Sequence, residues 1–278
     1  MLTLTSMLGR RFALTLLGAA GLAMATSGLA LAEDAPRVIK IATAAESKPL
    51  SWGAIGHEPQ GYEPDVLKAI NAKLPQYKFE MEGAADIAQE TGLATGKYDM
   101  ITGGYYSNPT RAKQFLIPEN PIGASMMKIY SRKSDEIKDM TGLAGKKIVP
   151  VTAGGGVYKF VTGWQEEHPD VKFKLTASSA GVPYPTRLNE LNQGKYDALI
   201  LPSNLGEATV IEQQKLDIVA SEPVVVHNTY VLIHRDAENE QLAADVSKAL
   251  GELREDGTLD QISEKWFGEK VGAYMTLN

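Results

Sequence analysis

From residue 38 onward, short apolar runs alternate with stretches whose apolar positions recur every three or four residues. The runs predict strands over 38–43, 77–81, 98–102, 126–132, 146–151, 171–175 and 224–233. Val66, Leu67, Ile70 and Leu74 share one face of a helix that follows a turn at Gly61. Further helices are expected over 86–94, 157–164 and 186–191, with two closing amphipathic helices over 242–254 and 259–266. Residues 46–52 (ESKPLSW) read as a loop at the carboxyl end of the first strand. Strands parted by helices in this order predict an α/β fold.

Two distant segments reveal the organisation. Residues 93–99 (LATGKYD) and 191–197 (LNQGKYD) share Leu, Gly, Lys, Tyr and Asp at the same five places. Each reads as a glycine-capped helix end leading into a strand. With βα patterning on both sides, the match predicts two lobes of similar plan. The chain would cross between them near 129–132 and again near 223–229, which makes a hinge. Residues 33–130 and 225–278 then form one lobe and 131–224 the other.

The stretch 96–111 (GKYDMITGGYYSNPTR) concentrates the candidate chemistry. After the strand 98–102, Gly103 and Gly104 bring bare backbone to its carboxyl end, where open α/β sheets collect ligands. Asn108-Pro109 is a turn signal, and Thr110-Arg111 would open the next helix. Arg111 is thereby placed at a strand mouth, with a planar fork suited to gripping a carboxylate. A surface arginine in a loop is the plain alternative. In the second half, residues 153–156 (AGGG) precede a helix, and their N–H groups would offer an anion site or only a flexible connector.

Composition narrows the function. With 278 residues and 44% apolar content the chain can bury a sizeable core. There is no cysteine, no zinc-finger spacing and no basic run, so nothing supports thiolate metal sites or nucleic-acid binding. His57, His168, His227 and His234 form no i,i+4 pair or HExxH motif, and no GxSxG elbow occurs. No cofactor is expected. Arg10-Arg11 precede residues 12–32, which carry no charge and end in Ala30-Leu31-Ala32. A secretory signal peptide over 1–32 and a membrane anchor compete for this run, and the A-x-A ending favours the cleaved signal. Its removal leaves 26 basic against 34 acidic residues, a net charge of −8, which favours solubility.

Four stretches resemble the extracytoplasmic solute-binding proteins of family 3, which serve polar amino acid ABC transporters. They are GKYDMITGGYYSNPTRAK, GYEPDVLKAI at 61–70, GKKIV at 145–149 and ALGELREDGTLDQISEKWFG at 249–268. The resemblance covers roughly residues 37 to 270. It implies a type II, two-lobed periplasmic-binding-protein-like fold, with each lobe a mixed sheet flanked by helices. It also implies capture of a carboxylate-bearing amino acid or modified amino acid, delivery to an inner-membrane ABC permease, and no enzymatic activity. Without a cysteine for a lipid anchor, the protein would diffuse in the periplasm as a monomer. The alternatives on the same scaffold are a prephenate-type dehydratase, for which Glu46 is the nameable acid, and a sensor ectodomain with the N-terminal anchor retained.

The resemblance also implies site residues. Arg111 would hold the ligand's carboxylate, with Asn108 in place of the usual threonine. Backbone around Gly104 and Tyr106 would take the rest of the polar head. Thr152, Gly154 and Gly155 would contribute from the second lobe. The aspartate that pairs with an α-ammonium is absent: Pro202 stands there, followed by Ser203. A buried ammonium without a counter-charge costs several kcal/mol, on the order of the penalty for an unpaired charge. The amine is therefore blocked or absent, held by neutral oxygens, or met by Glu46. Ser47 and Leu50 replace the usual pocket aromatic, and Trp52, Tyr105 and Tyr106 are additional candidates for its walls.

Overall fold

The computed structural model describes residues 35–153, 155–178, 182–203 and 205–275; the segment 1–32 lies outside them. The chain begins with β1 (Arg37–Ala44), β2 (Glu46–Ser47), β3 (Ser51–Trp52), α1 (Tyr62–Lys73), β4 (Tyr77–Ala84), α2 (Asp86–Ala94), β5 (Met100–Tyr105), α3 (Pro109–Gln114), β6 (Phe115–Leu116) and β7 (Gly123–Arg132). The second lobe follows with β8 (Val151–Thr152), α4 (Gly156–Glu167), β9 (Ala177–Ser178), α5 (Tyr184–Asn192), β10 (Leu199–Pro202), α6 (Glu207–Gln213) and β11 (Ile218–Ala220). Return is through β12 (Val225–His234), α7 (Asn239–Glu255) and α8 (Thr258–Phe267).

β7 and β12 define the architecture. β1 pairs in parallel with β4 and β5, and β12 closes this group antiparallel to β5 through Tyr230–Ile233. Its first half instead pairs with β7, Val225 opposite Met127 through Thr229 opposite Gly123. The far half of β7 then carries β10 and β11. Two ten-residue antiparallel strands thus link the β1–β4–β5 group to β10 and β11.

Alternation along the strands loads both faces of each lobe. In lobe 1, Ile39, Ile41 and Met100 face Val66, Leu67 and Ile70 of α1 and Leu242, Val246 and Leu250 of α7. Ala42 and Ile101 turn the other way, to Leu93, Tyr98 and Phe115. In lobe 2, Ile129, Ala198 and Ile200 pack with Val161 of α4, while Tyr130, Leu199 and Leu201 pack with Leu188 and Leu191 of α5.

The matched heptapeptides form the same joint in both lobes. Gly96 and Gly194 end their helices at φ +74° and +78°, where a side chain would be strained. Asp99 Oδ2 accepts the Lys40 N–H at 2.8 Å, and Asp197 Oδ2 accepts the Lys147 N–H at 2.8 Å. Lys97 and Lys195 lie over the Tyr98 and Tyr196 rings. Each aspartate ties its strand to the neighbouring one.

Some elements differ from expectation. The run 146–151 meets 171–175 through the isolated bridge Lys147–Lys174 and meets residue 198 through Ile148–Ala198, and regular pairing there is confined to β8 with β9. Ile148, Val149 and Val151 are nonetheless buried, so burial rather than a continuous ladder accounts for the apolar pattern. The 46–52 loop is a hairpin, with Glu46 opposite Trp52 and Ser47 opposite Ser51.

Candidate functional site

The hairpin 46–52 and α1 are built as one unit. Ser51 Oγ donates to Thr43 Oγ1 at the end of β1 (2.9 Å). The Pro49 and Leu50 carbonyls accept the N–H groups of Tyr62 and Glu63 at 3.1 and 3.0 Å, satisfying donors that a helix start leaves open. Gly61 permits this approach: a Cβ there would lie 2.6 Å from the Leu50 carbonyl oxygen.

Above this unit, at the ends of β1 and β5 and against the first residues of β7, lies a cavity of about 450 Å³. Glu46, Ser47, Lys48, Leu50, Gly104 and Tyr106 line it from lobe 1. Gly123, Ala124, Ser125 and Thr229 line it from the two hinge strands, and Tyr184, Pro202, Ser203 and Leu205 from lobe 2. Tyr62 and Phe267 form an apolar wall, their rings 4.7 Å apart. Among the described lining residues the charged ones are Glu46 and Lys48. Ser203 is buried, and its hydroxyl has no hydrogen-bond partner among the described residues.

A carboxyl lies beneath the floor. Glu63 is fully buried at the start of α1, and its Oε1 accepts the Gly104 N–H at 3.0 Å. Gly104 has φ +68° and its Cβ position lies 3.2 Å from Leu50, which suits glycine there. Burial pushes the Glu63 carboxyl up to about 7, against the pull of the Gly104 N–H, the Thr102 hydroxyl and the Gly103 N–H.

Of the residues expected from sequence, Glu46, Gly104, Tyr106 and Ser203 meet at the cavity. The Gly104 N–H points inward to Glu63. Arg111 stands outside the lining. Its Nη2 pairs with Glu90 Oε1 at 2.7 Å, Nη1 donates to the Tyr106 carbonyl at 3.0 Å, and its guanidinium carbon lies 4.9 Å from the Tyr105 ring centroid. Asn108 caps α3, its side-chain oxygen accepting the Arg111 N–H at 2.9 Å. Tyr105 is buried and donates to Gln89, while Trp52 packs edge-on against Trp266 at 5.2 Å. Thr152 and Gly155 lie away from the cavity, and the Gly155 N–H is bonded to the Thr152 carbonyl. Gly154 lies outside the described residues. Lys48, Tyr62, Tyr184, Thr229 and Phe267 were not expected; of these, Lys48 was legible from its place in the loop beside Glu46.

Two lobes joined by paired strands, with a cavity between them to which each contributes, define the type II binding-protein fold. Residues 39–269 match the bacterial extracellular solute-binding proteins, family 3, and the chain belongs to that family. It is 31% identical to the L-cystine-binding protein TcyJ of Escherichia coli (strain K12), over 76% of this chain and 80% of that one. To the L-cystine-binding protein TcyJ of Bacillus subtilis it is 28% identical, over 76% and 77%. The L-cystine solute receptor of Neisseria gonorrhoeae, solved unliganded and open, superposes with a TM-score of 0.71 at 18% identity, covering 84% of this chain and 94% of that one. The family consists of solute-binding proteins rather than enzymes, and it lies outside the cytoplasm.

Proposed function

We propose that this chain is the periplasmic substrate-binding component of an ABC importer for an amino acid or modified amino acid. The observation that carries the reading is the cavity itself, which draws its walls from both lobes and both hinge strands. A solute seated there touches both halves, so it favours the closed arrangement by its contacts with each. The closed form then docks on the permease.

Glu46 and Lys48, two residues apart on one hairpin, offer opposite charges to a zwitterion. Glu46 takes the ammonium that Pro202 cannot meet, and Lys48 lends its charge to the carboxylate end. Arg111 stands beside the cavity rather than in its lining, held by Glu90 and the Tyr105 ring, and its remaining N–H groups serve a carboxylate that extends past Tyr106 toward it. Ser203 offers its hydroxyl from lobe 2. A volume of about 450 Å³ suits a solute longer than a simple amino acid. Cystine, named in several relatives, belongs to that class and carries charged groups at both ends.

Calorimetric titration of the purified chain tests this with L-cystine, the twenty common amino acids and their N-acetyl derivatives. Saturable one-site binding of at least one of them is expected, weakened by Glu46→Gln for ligands with a free amine. Binding of none of them at millimolar concentration would refute the substrate class.

A further inference from the structure

We propose that Glu63 is a positioning residue of this cavity: it fixes the floor through the Gly104 N–H, and its proton decides whether a carboxylate can rest there. The inference rests on the substrate reading above for its consequence in binding, though not for its test.

The geometry is specific. Glu63 reaches from the first turn of α1 to the end of β5, so one side chain joins the helix that carries the hairpin to the strand that carries Gly104 and Tyr106. Gly104 is part of the cavity surface. Glu63 Oε2 and Thr102 Oγ1 are both buried, with no hydrogen-bond partner among the described residues. Either form can close this pair: the neutral carboxyl by donating its Oε2 proton to the Thr102 oxygen, the ionised one by accepting the Thr102 O–H in the stronger, charge-assisted bond, while Oε1 keeps the Gly104 N–H. An ionised carboxyl can only accept and places a full negative charge under the floor.

Among the described residues no lysine or arginine pairs with Glu63 to offset that charge. On α1 and β5 the adjacent titratable groups are the Tyr62 and Tyr105 phenols, both held protonated by burial. Asp260 of α8 acts on Tyr62, and Glu90 and Asp86 of α2 act on Tyr105, with Arg111 opposing them. On the hairpin, Glu46 and Lys48 line the cavity beyond Gly104; β7 presents Gly123, Ala124 and Ser125, and β12 presents Thr229. What steadies the ionised form is therefore hydrogen bonding and the positive end of α1, set against complete burial. With the carboxyl near 7, both forms are populated around neutral pH. An anionic group seated over Gly104 favours the neutral form. Capture of a carboxylate then takes up a fraction of a proton, and affinity declines as pH rises through neutrality.

The test uses the ligand-free protein. The Gly104 amide resonance is followed by ¹H–¹⁵N NMR from pH 5 to 8.5 in the wild type, in Glu63→Gln and in Thr102→Val. The wild-type resonance is expected to titrate near neutrality. The titration should vanish in Glu63→Gln and move upward in Thr102→Val, which loses a group that favours the charge. A wild-type Gly104 resonance that stays flat across this range overturns the proposal, even if Glu63→Gln fails to fold. So does an unchanged titration in Glu63→Gln, or a Thr102→Val midpoint that stays put or moves down. Calorimetry with L-cystine run beside it separates the two readings: absence of heat counts against the substrate, and leaves the ligand-free titration to decide the role of Glu63.

Discussion

The buried carboxyl beneath the cavity predicts a specific pH dependence of stability. In the folded chain the Glu63 proton is held to about pH 7, against an ordinary value of 4.5. Below about pH 4.5 both folded and unfolded states carry the proton, and Glu63 contributes no penalty. Between about 4.5 and 7 the folded state binds more protons than the unfolded state, so this contribution to stability falls as pH rises. Above about 7 both states are ionised and the penalty is constant. At about 1.4 kcal/mol per pKa unit, the separation corresponds to a penalty of about 3 kcal/mol. Glu63→Gln keeps an oxygen for the Gly104 N–H and removes the charge. Urea unfolding of wild type and variant from pH 4.5 to 8 gives the difference in stability at each pH, and other carboxylates cancel in that difference. The variant should gain on the wild type by about 3 kcal/mol across the range, whatever the constant cost of its packing. A difference that stays flat to within about 0.5 kcal/mol, a typical limit on additivity, would refute the assignment of this proton.

Arg111→Ala should weaken solute binding by about 2–5 kcal/mol in calorimetry, the range for removing one partner of a hydrogen-bonded charge pair; an unchanged dissociation constant would remove Arg111 from the site. Gly92→Ala would bring a Cβ to 2.6 Å from the Tyr98 ring. Overpacking of about 1–3 kcal/mol outweighs the gain of about 1 kcal/mol in helix propensity, so urea unfolding should show a net loss. Lys128 of β7 pairs with Glu269 just beyond α8, tying the hinge strand to the closing segment. Lys128→Met should cost about 1–2 kcal/mol, between the values for surface and buried pairs; a gain in stability would show that its burial is the larger effect.

Much of this architecture was legible in the sequence because it rests on local signals. Gly96 and Gly194, each followed by Lys-Tyr-Asp, announce a helix end and a strand start, and the structure repeats the same aspartate-to-backbone bond in both lobes. Helix α1 was legible from Val66, Leu67 and Ile70 at helical spacing. The short elements β6, β11 and α6 were not, since two to seven residues carry too little periodicity to read. For the candidate site, strand ends could be located, and with them Glu46, Gly104 and Tyr106. Tyr62, Thr229 and Phe267 could not, because their presence at the cavity depends on how α1, β12 and α8 pack rather than on any neighbour in sequence. Glu63 fits its helix as an ordinary acidic residue of a first turn, and only burial against Gly104 distinguishes it. Arg111 was placed correctly at the start of a helix after β5, but its pairing with Glu90 crosses 21 positions and leaves no local trace.

On the proposed function a small solute sits between the lobes, bounded by Glu46, Lys48 and Tyr106 on one side and Tyr184 and Ser203 on the other. A crystal structure of the complex with the tightest solute from the calorimetric panel measures it directly. Density for the solute is expected in this cavity, with a charged end within hydrogen-bond reach of the 46–48 hairpin and the Ser203 hydroxyl turned to it. Density on an outer face, with this cavity left to solvent, would contradict it.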